Sequence, residues 1–310
     1  MVKLIKYLFP LLLLLSSSCS KFTAPERFTG DAYSLAALLI AGESIDVDHP
    51  VYITRSATIE TFNPNSIFVD DASVIIKDIT PGIPQTQFPL SFFMGMYVDP
   101  AANLIQVEHT YRIEIVVPGN PPVNISAETT VPKQGILVPD YLNNNVQGEG
   151  YSFTEEPMNI IKFSDVDRKY PLAINTGDNQ GTFNFMAEMY CLEEFSTNLE
   201  FTTPVFGFTH ADAEMEDSYN APGESVRRIK FLGSYVSKPQ DGIAGNHLVV
   251  KDYRQAFVFY GKYRITLYLA DENYYRYSYM PEGYFHGGVK GGLGYFGSAS
   301  GGVMYAKIVK

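Results

Sequence analysis

The stretch Thr110-Tyr-Arg-Ile-Glu-Ile-Val-Val-Pro-Gly-Asn-Pro-Pro-Val-Asn-Ile-Ser-Ala-Glu-Thr-Thr-Val131 decides the fold class. Large apolar residues occupy every second position from Tyr111 to Ile115, with charged residues between them, which is the period of a strand with one buried face. The turn-forming run Pro118–Pro122 follows, and the same alternation resumes from Val123 to Val131. The stretch therefore predicts an antiparallel β-hairpin.

Further strand-length runs, rich in Val, Ile, Tyr, Phe and Thr, precede this hairpin and are separated by Pro, Gly and Asn. They are Leu35–Ile40, Val51–Ile59, Ala72–Ile79 and Phe88–Val98. Short strands at this spacing predict an immunoglobulin-like or fibronectin-like β-sandwich over residues 28–134. The chain has no Trp and only two Cys, which argues against a true antibody-type domain.

Residues 135–310 also have mainly β character and predict a second β-rich domain, so the fold class is all-β with at most one or two short helices. Its strand candidates are Ile160–Phe163, Thr182–Glu194, Val226–Val236, His247–Val250, Gln255–Ala270 and Val303–Val309. Asp271–Met280 is the best helix candidate, because Asp271 can cap it and Pro281 can end it. The alternation of tyrosines within that segment would also suit a strand.

The first 19 residues have the pattern of a bacterial lipoprotein signal peptide. Lysines precede the apolar run Tyr7–Leu15, and three serines then lead into Cys19. The apolar run is well short of the roughly 20 residues that a transmembrane helix needs. We therefore expect residues 1–19 to be a signal that ends at a lipidated Cys19, with a flexible tether at 20–27.

Charge and cysteine content narrow the possible partners and chemistry. Loss of Lys3 and Lys6 with the signal would leave 21 basic and 34 acidic residues, a net charge of −13. Nucleic-acid binding needs the opposite sign, so we expect no nucleic-acid partner. Cys191 has no second cysteine to pair with once Cys19 carries lipid, and it is expected to be a buried, unreactive thiol.

Six short segments, taken in order, resemble a known family. They are Ala41-Gly-Glu43, Thr54-Arg-Ser56, Asp71-Ala-Ser-Val74, Tyr111-Arg-Ile-Glu114, Ala127-Glu-Thr-Thr-Val-Pro132 and Gly291-Gly-Leu-Gly-Tyr-Phe-Gly297. This order resembles the domain-of-unknown-function 4249 family of Bacteroides-type outer-membrane lipoproteins. The resemblance implies an outer-membrane location and a TonB-dependent receptor as a possible partner, but no reaction. It does not distinguish the periplasmic face from the cell-surface face.

Tyrosines are concentrated near the C-terminus, where eleven of the 22 follow residue 250. The densest segment contains Tyr274, Tyr275, Arg276, Tyr277 and Tyr279. Tyrosine and arginine dominate protein interfaces, and four tyrosines so close together cannot all point inward in either a helix or a strand. These five residues are the candidate contact site, and ordinary packing in a β core is the alternative.

The only candidate metal ligands form an acidic run, His210, Asp212, Glu214 and Glu216, which would share one side of a strand and could offer oxygen ligands to a hard cation. A solvated acidic loop is the alternative. The glycine-rich segment 291–297 lacks the strand-then-helix context of a phosphate loop, and a tight strand entry or bulge explains it better. We expect no cofactor.

Neither a zinc-protease motif nor a nucleophile elbow occurs. The leading functional interpretation is a non-catalytic lipoprotein that acts in binding or assembly, attached to the outer membrane through Cys19. The alternatives are a cell-surface hydrolase whose catalytic residues lie on distant loops, and a structural or adhesion subunit. A pocket lined by carboxylates and histidine would favour the hydrolase, and a tyrosine-rich face would favour binding.

Overall fold

The computed structural model describes residues 32–57, 63, 67–133, 135–141, 148–177, 182–194, 196–203, 227–236, 246–250, 253–279 and 286–310. Within these ranges the fold is all-β, as the sequence predicts. The strands are β1 Tyr33–Ile40, β2 Tyr52–Arg55, β3 Ser73–Asp78, β4 Thr86–Pro89, β5 Ser91–Phe93, β6 Met96–Val98, β7 Thr110–Val117, β8 Val123–Thr130, β9 Ile136–Leu137, β10 Ile160–Lys162, β11 Leu172–Gly177, β12 Thr182–Cys191, β13 Arg227–Val236, β14 Asn246–Val250, β15 Gly261–Ala270, β16 His286–Gly287 and β17 Leu293–Val309. The α-helices are α1 Val166–Lys169 and α2 Glu272–Tyr279, and 3₁₀ turns occupy Phe163–Asp165 and Arg254–Ala256.

The predicted hairpin is confirmed as β7 and β8, which pair antiparallel from Val117 opposite Val123 to Thr110 opposite Thr130. The side chains of Tyr111, Ile113 and Ile115 are buried, whereas the charged residues between them face solvent. The period-two pattern therefore fixes which face of the hairpin packs on the core.

The first core lies between two sheets that pack face to face. One sheet has the order β4-β3-β7-β8, and the other face consists of β2, β1 and the first part of β17. Ile76 and Ile113 from the first sheet meet Leu35, Ile53 and Phe296 from the second in one cluster of buried side chains. This is the sandwich expected for the N-terminal half, but one of its strands comes from the C-terminus of the chain.

The second core lies under the other end of the large sheet, whose strand order is β13-β12-β15-β17-β1-β2. Side chains of β12, β15 and the last part of β17 pack there against the three-stranded sheet β14-β11-β9 and against α1. Met304 and Ile308 of β17 and Ile174 of β11 belong to this cluster. The 17-residue strand β17 therefore contributes to both cores.

A close backbone approach explains why a glycine-rich segment can begin this strand. β1 and β17 run parallel, with Leu35 opposite Gly294. Gly294 has φ +95°, and a Cβ atom placed there would lie 2.0 Å from the carbonyl oxygen of Leu35. Only glycine fits such a position without displacing the neighbouring strand.

The strand pattern differs in several details from the sequence-based expectation. The run Phe88–Val98 is not one strand, because Met94 and Gly95 adopt positive φ and reverse the chain between β5 and β6. The final strand starts at Leu293 rather than Val303, since the glycines pair within it. The segment predicted from Gln255 starts with a 3₁₀ turn before β15, and β11 was not predicted.

None of the helices in the described residues has both the length and the apolar character needed to cross a bilayer. The division into domains at residues 134 and 135 stays a prediction, as do the signal at 1–19 and the tether at 20–27, which lie outside the described ranges.

Candidate functional site

The tyrosine-rich segment is a helix, α2, and its first residues are fixed to two strands by a polar cluster. The carboxylate of Asp271 accepts hydrogen bonds from the backbone N–H of Tyr274 at 3.0 Å and of Ser298 at 3.1 Å. Its other oxygen accepts a hydrogen bond from the Thr129 hydroxyl at 2.7 Å. Asp271 thus caps the helix, as predicted, and also holds it against β8 and β17.

Asn273 adds a second attachment in the first turn of α2. Its side-chain amide donates to the carbonyl oxygen of Glu128 at 2.7 Å and to that of Phe296 at 3.0 Å. Because one side chain bonds both strands, the helix has a defined position on the sandwich. Its exposed side chains are therefore held in a defined direction.

The tyrosines of α2 divide between core and surface. Tyr274 is buried with Met186 and Ala270, and Tyr275 is half-buried beside the same cluster. Tyr277 is 39% exposed. The Arg276 guanidinium is exposed and forms an ion pair with Glu272 one turn earlier. Tyr279 is the last residue of the helix.

A row of three tilted aromatic rings anchors the exposed tyrosine. The ring centroid of Tyr277 lies 4.8 Å from that of Tyr295 on β17, and the Tyr295 centroid lies 5.3 Å from that of buried Tyr274. Such pairs contribute about 0.5–1.5 kcal/mol each beyond their buried area. We call Arg276, Tyr277 and Tyr295 the tyrosine patch.

A shallow cleft adjoins the tyrosine patch. It has a volume of about 100 Å³ and is lined by Arg112, Ser126, Ala127, Glu128, Gly288 and Lys290. Lys290 is held there by paired backbone hydrogen bonds with Ser126, at 2.8 and 3.0 Å. Gly288 connects cleft and patch, because it pairs with Tyr295 and lies against the side chain of Asn273.

The cleft carries charges of both signs on the solvent face of the hairpin. The Nε and Nη2 atoms of Arg112 donate to one carboxylate oxygen of Glu128, at 2.8 and 2.5 Å. Lys290 is exposed at its rim. The lining residues combine cations, a carboxylate and a hydroxyl but contain no imidazole. This composition suits the binding of a polar group rather than proton transfer by histidine.

The carboxyl of Asp271 has a shifted pKa. Burial raises the pKa of its carboxyl above the usual value, although hydrogen bonds from Tyr274, Thr129 and Ser298 act in the opposite direction. Its two oxygens are already used by these donors. The raised pKa therefore reflects a structural junction and not a free acid or base in the cleft.

The remaining candidate residues fall elsewhere. Cys19 and the proposed metal ligands His210, Asp212, Glu214 and Glu216 lie outside the described residues. In the ranges that the structure covers, no group of three or more His, Cys, Asp or Glu side chains could hold a metal ion.

Several residues that complete the site were not among the candidates predicted from the sequence. Tyr295 was assigned only to a glycine-rich strand entry, yet it is the ring on which Tyr277 rests. The pairing of Arg112 with Glu128 could have been found, because both lie on the polar face of the hairpin at mirrored positions about its turn. The position of Lys290 in the cleft could not have been found in this way, because its neighbour Ser126 is far away in sequence.

Comparisons with known proteins identify the family but no activity. No curated protein matches the chain. One solved structure, from a report titled "Structural insight into host cell surface retention of a 1.5-MDa bacterial ice-binding adhesin", aligns at 7% identity with a TM-score of 0.14. That alignment covers 90% of this chain and 64% of the adhesin chain, and its low score carries no argument about fold. The model of the domain of unknown function DUF4249 matches residues 36–282, so the chain belongs to this family.

Proposed function

We propose that this protein is a lipid-anchored outer-membrane protein that acts in binding or assembly and contacts a protein partner through the tyrosine patch. The observation that carries the proposal is the row of three tilted rings, in which exposed Tyr277 contacts Tyr295 and Tyr295 contacts buried Tyr274. An exposed aromatic ring backed by the core loses little conformational freedom on binding, which favours high affinity.

The residue types of the patch support a protein partner. Tyrosine and arginine are the residues most enriched among interface hot spots, where one side chain contributes about 2 kcal/mol or more. The side chain of Arg276 is 42% exposed and lies beside exposed Tyr277 on α2, whose first turn is fixed by Asp271 and Asn273. A partner would therefore meet a rigid surface rather than a flexible loop.

The dimensions of the adjoining cleft support a macromolecule over a metabolite. Pockets for small molecules usually enclose about 300–1,000 Å³. The cleft between Arg112 and Lys290 has only about 100 Å³ and is open to the surface. It has room for one polar side chain or a chain terminus of a larger partner that also covers the tyrosine patch.

The proposed membrane location and the proposed TonB-dependent partner are inferred from the sequence. The signal pattern before Cys19 supports lipidation. Membership of the DUF4249 family is consistent with the resemblance from which the outer membrane and a neighbouring TonB-dependent receptor were inferred. More than one acyl chain on Cys19 would give lasting anchorage, because each buried CH₂ contributes about 0.8 kcal/mol.

Mild-detergent purification of the tagged full chain from native membranes tests this proposal. We expect wild-type protein in the outer-membrane fraction together with a TonB-dependent receptor, and we expect Cys19→Ala to remain unprocessed or soluble. The proposal is wrong if Cys19→Ala is processed and fractionates as wild type does, or if no receptor accompanies the wild-type chain.

A further inference from the structure

A second exposed apolar surface lies on the hairpin formed by β5 and β6, away from α2 in sequence. Its two strands are joined by a two-residue turn, with Phe93 paired to Met96 across it. Phe92, Phe93 and Met94 are 38%, 49% and 79% exposed. None of these three residues belongs to the buried core, although the Phe92 ring contacts that of buried Tyr97 with centroids 5.4 Å apart. Consecutive exposed apolar residues at a turn suggest a contact surface. We call residues 92–94 the hairpin tip.

The backbone of the turn does not favour the residue found there. Met94 has φ +48° and Gly95 has φ +90°, so both turn residues are left-handed, as in a type I′ turn. This turn prefers Asn-Gly, whereas an unbranched apolar side chain such as Met gains nothing from the left-handed region. Met94 therefore makes the hairpin less stable than Asn would, and its side chain is almost fully solvated.

Other aromatic residues extend the apolar surface and hold the tip in place. The Phe68 ring lies directly against Gly95, and Tyr52 lies beside Phe68 with ring centroids 6.2 Å apart. Tyr97, opposite Phe92, is buried and its hydroxyl accepts a hydrogen bond from the backbone N–H of Ala72 at 3.0 Å. The tip thus projects from a fixed base.

The charges around the hairpin tip indicate whether it contacts a membrane or a protein. No Lys or Arg occurs between Lys77 and Arg112. At the base of the hairpin, the two exposed carboxylates of Asp70 and Asp71 outnumber the exposed guanidinium of Arg55 at the end of β2. Elements that enter anionic membrane surfaces carry Lys and Arg around their apolar residues. An acidic base with an apolar tip is instead complementary to an apolar protein pocket with a basic rim.

We propose that the hairpin tip inserts into an apolar pocket of a partner protein whose rim carries Lys or Arg. This contact is separate from the tyrosine patch, so the failure of either proposal leaves the other standing. Phe93 and Met94 supply the inserted side chains, and Asp70 and Asp71 face the basic rim.

Site-specific photo-crosslinking of the full chain in its native cells tests the inference. Benzoylphenylalanine at position 93 is expected to give one crosslinked protein, in which the mapped peptide is apolar with Lys or Arg nearby. The same probe at position 153 is the matched control, because Phe153 is also an exposed aromatic residue, at 58%. Crosslinks to lipid, to a second copy of this chain or to an acidic segment, or equal yields at both positions, would overturn the proposal.

A pair of variants separates binding from folding. Met94→Asn creates the turn that the backbone prefers, and Phe93→Thr keeps a good strand former at its position. The double variant should melt no lower than wild type while its affinity for the purified crosslinked protein falls about 100-fold or more. Phe153→Thr should change that affinity less than threefold. Unchanged affinity of the double variant, or an equal loss with Phe153→Thr, would rule out the hairpin tip as the contact.

Discussion

The hydroxyl of Thr129 donates a hydrogen bond of 2.7 Å to the carboxylate of Asp271, although the two residues are 142 positions apart. The same hydroxyl lies 2.7 Å from that of Ser298, so three chain segments meet at one polar cluster. This cluster joins the end of β8, the start of α2 and strand β17. The position of the tyrosine patch depends on this junction.

Removal of the Asp271 side chain should weaken both the helix cap and the junction. We expect Asp271→Ala to lower the free energy of unfolding by roughly 2 kcal/mol, because it removes an N-cap and also the carboxylate that accepts from the Thr129 hydroxyl and the Ser298 N–H. Asp271→Asn is the matched control, since its amide oxygen can still accept from the two backbone N–H groups and its NH₂ can donate to Thr129. Urea denaturation measures both, and equal losses for Ala and Asn would contradict the role of the cap.

The pH dependence of stability should carry the signature of the Asp271 carboxyl. Burial raises its pKa above 3.8, so the folded state binds this proton more tightly than the unfolded state does. Its stabilising contribution is therefore complete below pH 3.8 and is lost as pH rises through the raised pKa. The free energy of unfolding of wild type, minus that of Asp271→Asn, should fall as pH rises from about 3 to 7. A difference that increased as pH rises over this range would contradict a raised pKa of Asp271 in the folded state.

Substitution of Gly294 should damage the pairing of β1 with β17. In Gly294→Ala the added Cβ would overlap the Leu35 carbonyl oxygen, in addition to the cost of its positive φ. Gly42→Ala is the control for φ alone, because Gly42 has φ +83° and open space around it. We expect a loss of about 1 kcal/mol for Gly42→Ala and at least twice that for Gly294→Ala, measured by thermal or urea unfolding. Equal losses for the two variants would mean that the close approach of Gly294 to the Leu35 carbonyl oxygen adds no cost, and would contradict the pairing described for β1 and β17.

The thiol of Cys191 should be protected in the folded protein. Cys191 is 1% exposed and packs in the second core with Ala187 and Met189, on the strand face that the sequence predicts. A thiol reagent should therefore label it only after denaturation. Rapid labelling of the native chain would contradict the assigned packing of β12.

Local patterns in the sequence predicted the elements that are defined by neighbouring residues. The alternation from Tyr111 to Val131 predicted β7, β8 and their buried face, and Asp271 with Pro281 made their segment the best helix candidate. The choice of helix over strand for the tyrosines was not determined, because both periods fit so short a segment.

Contacts between distant segments could not be predicted in this way. The parallel pairing of Leu35 with Gly294 joins opposite ends of the chain, and no local period encodes it. The same limit applies to Tyr295 beneath Tyr277 and to Lys290 beside Ser126. The hairpin tip was missed because positive φ at Met94 is not expected of that residue type.

The affinity of the purified receptor for tyrosine-patch variants tests the central claim most directly. The double variant Arg276→Ala with Tyr277→Ala should bind about 1,000-fold more weakly than wild type, because two hot-spot side chains together contribute about 4 kcal/mol. Its melting temperature should fall by only a few degrees, because loss of the Tyr277–Tyr295 ring pair costs about 0.5–1.5 kcal/mol while Tyr274 and Tyr295 remain in place. The matched control is Phe153→Ala with Arg168→Ala, two exposed residues of similar type in another region, which should leave affinity unchanged. Wild-type affinity in the tyrosine-patch variant would contradict the account.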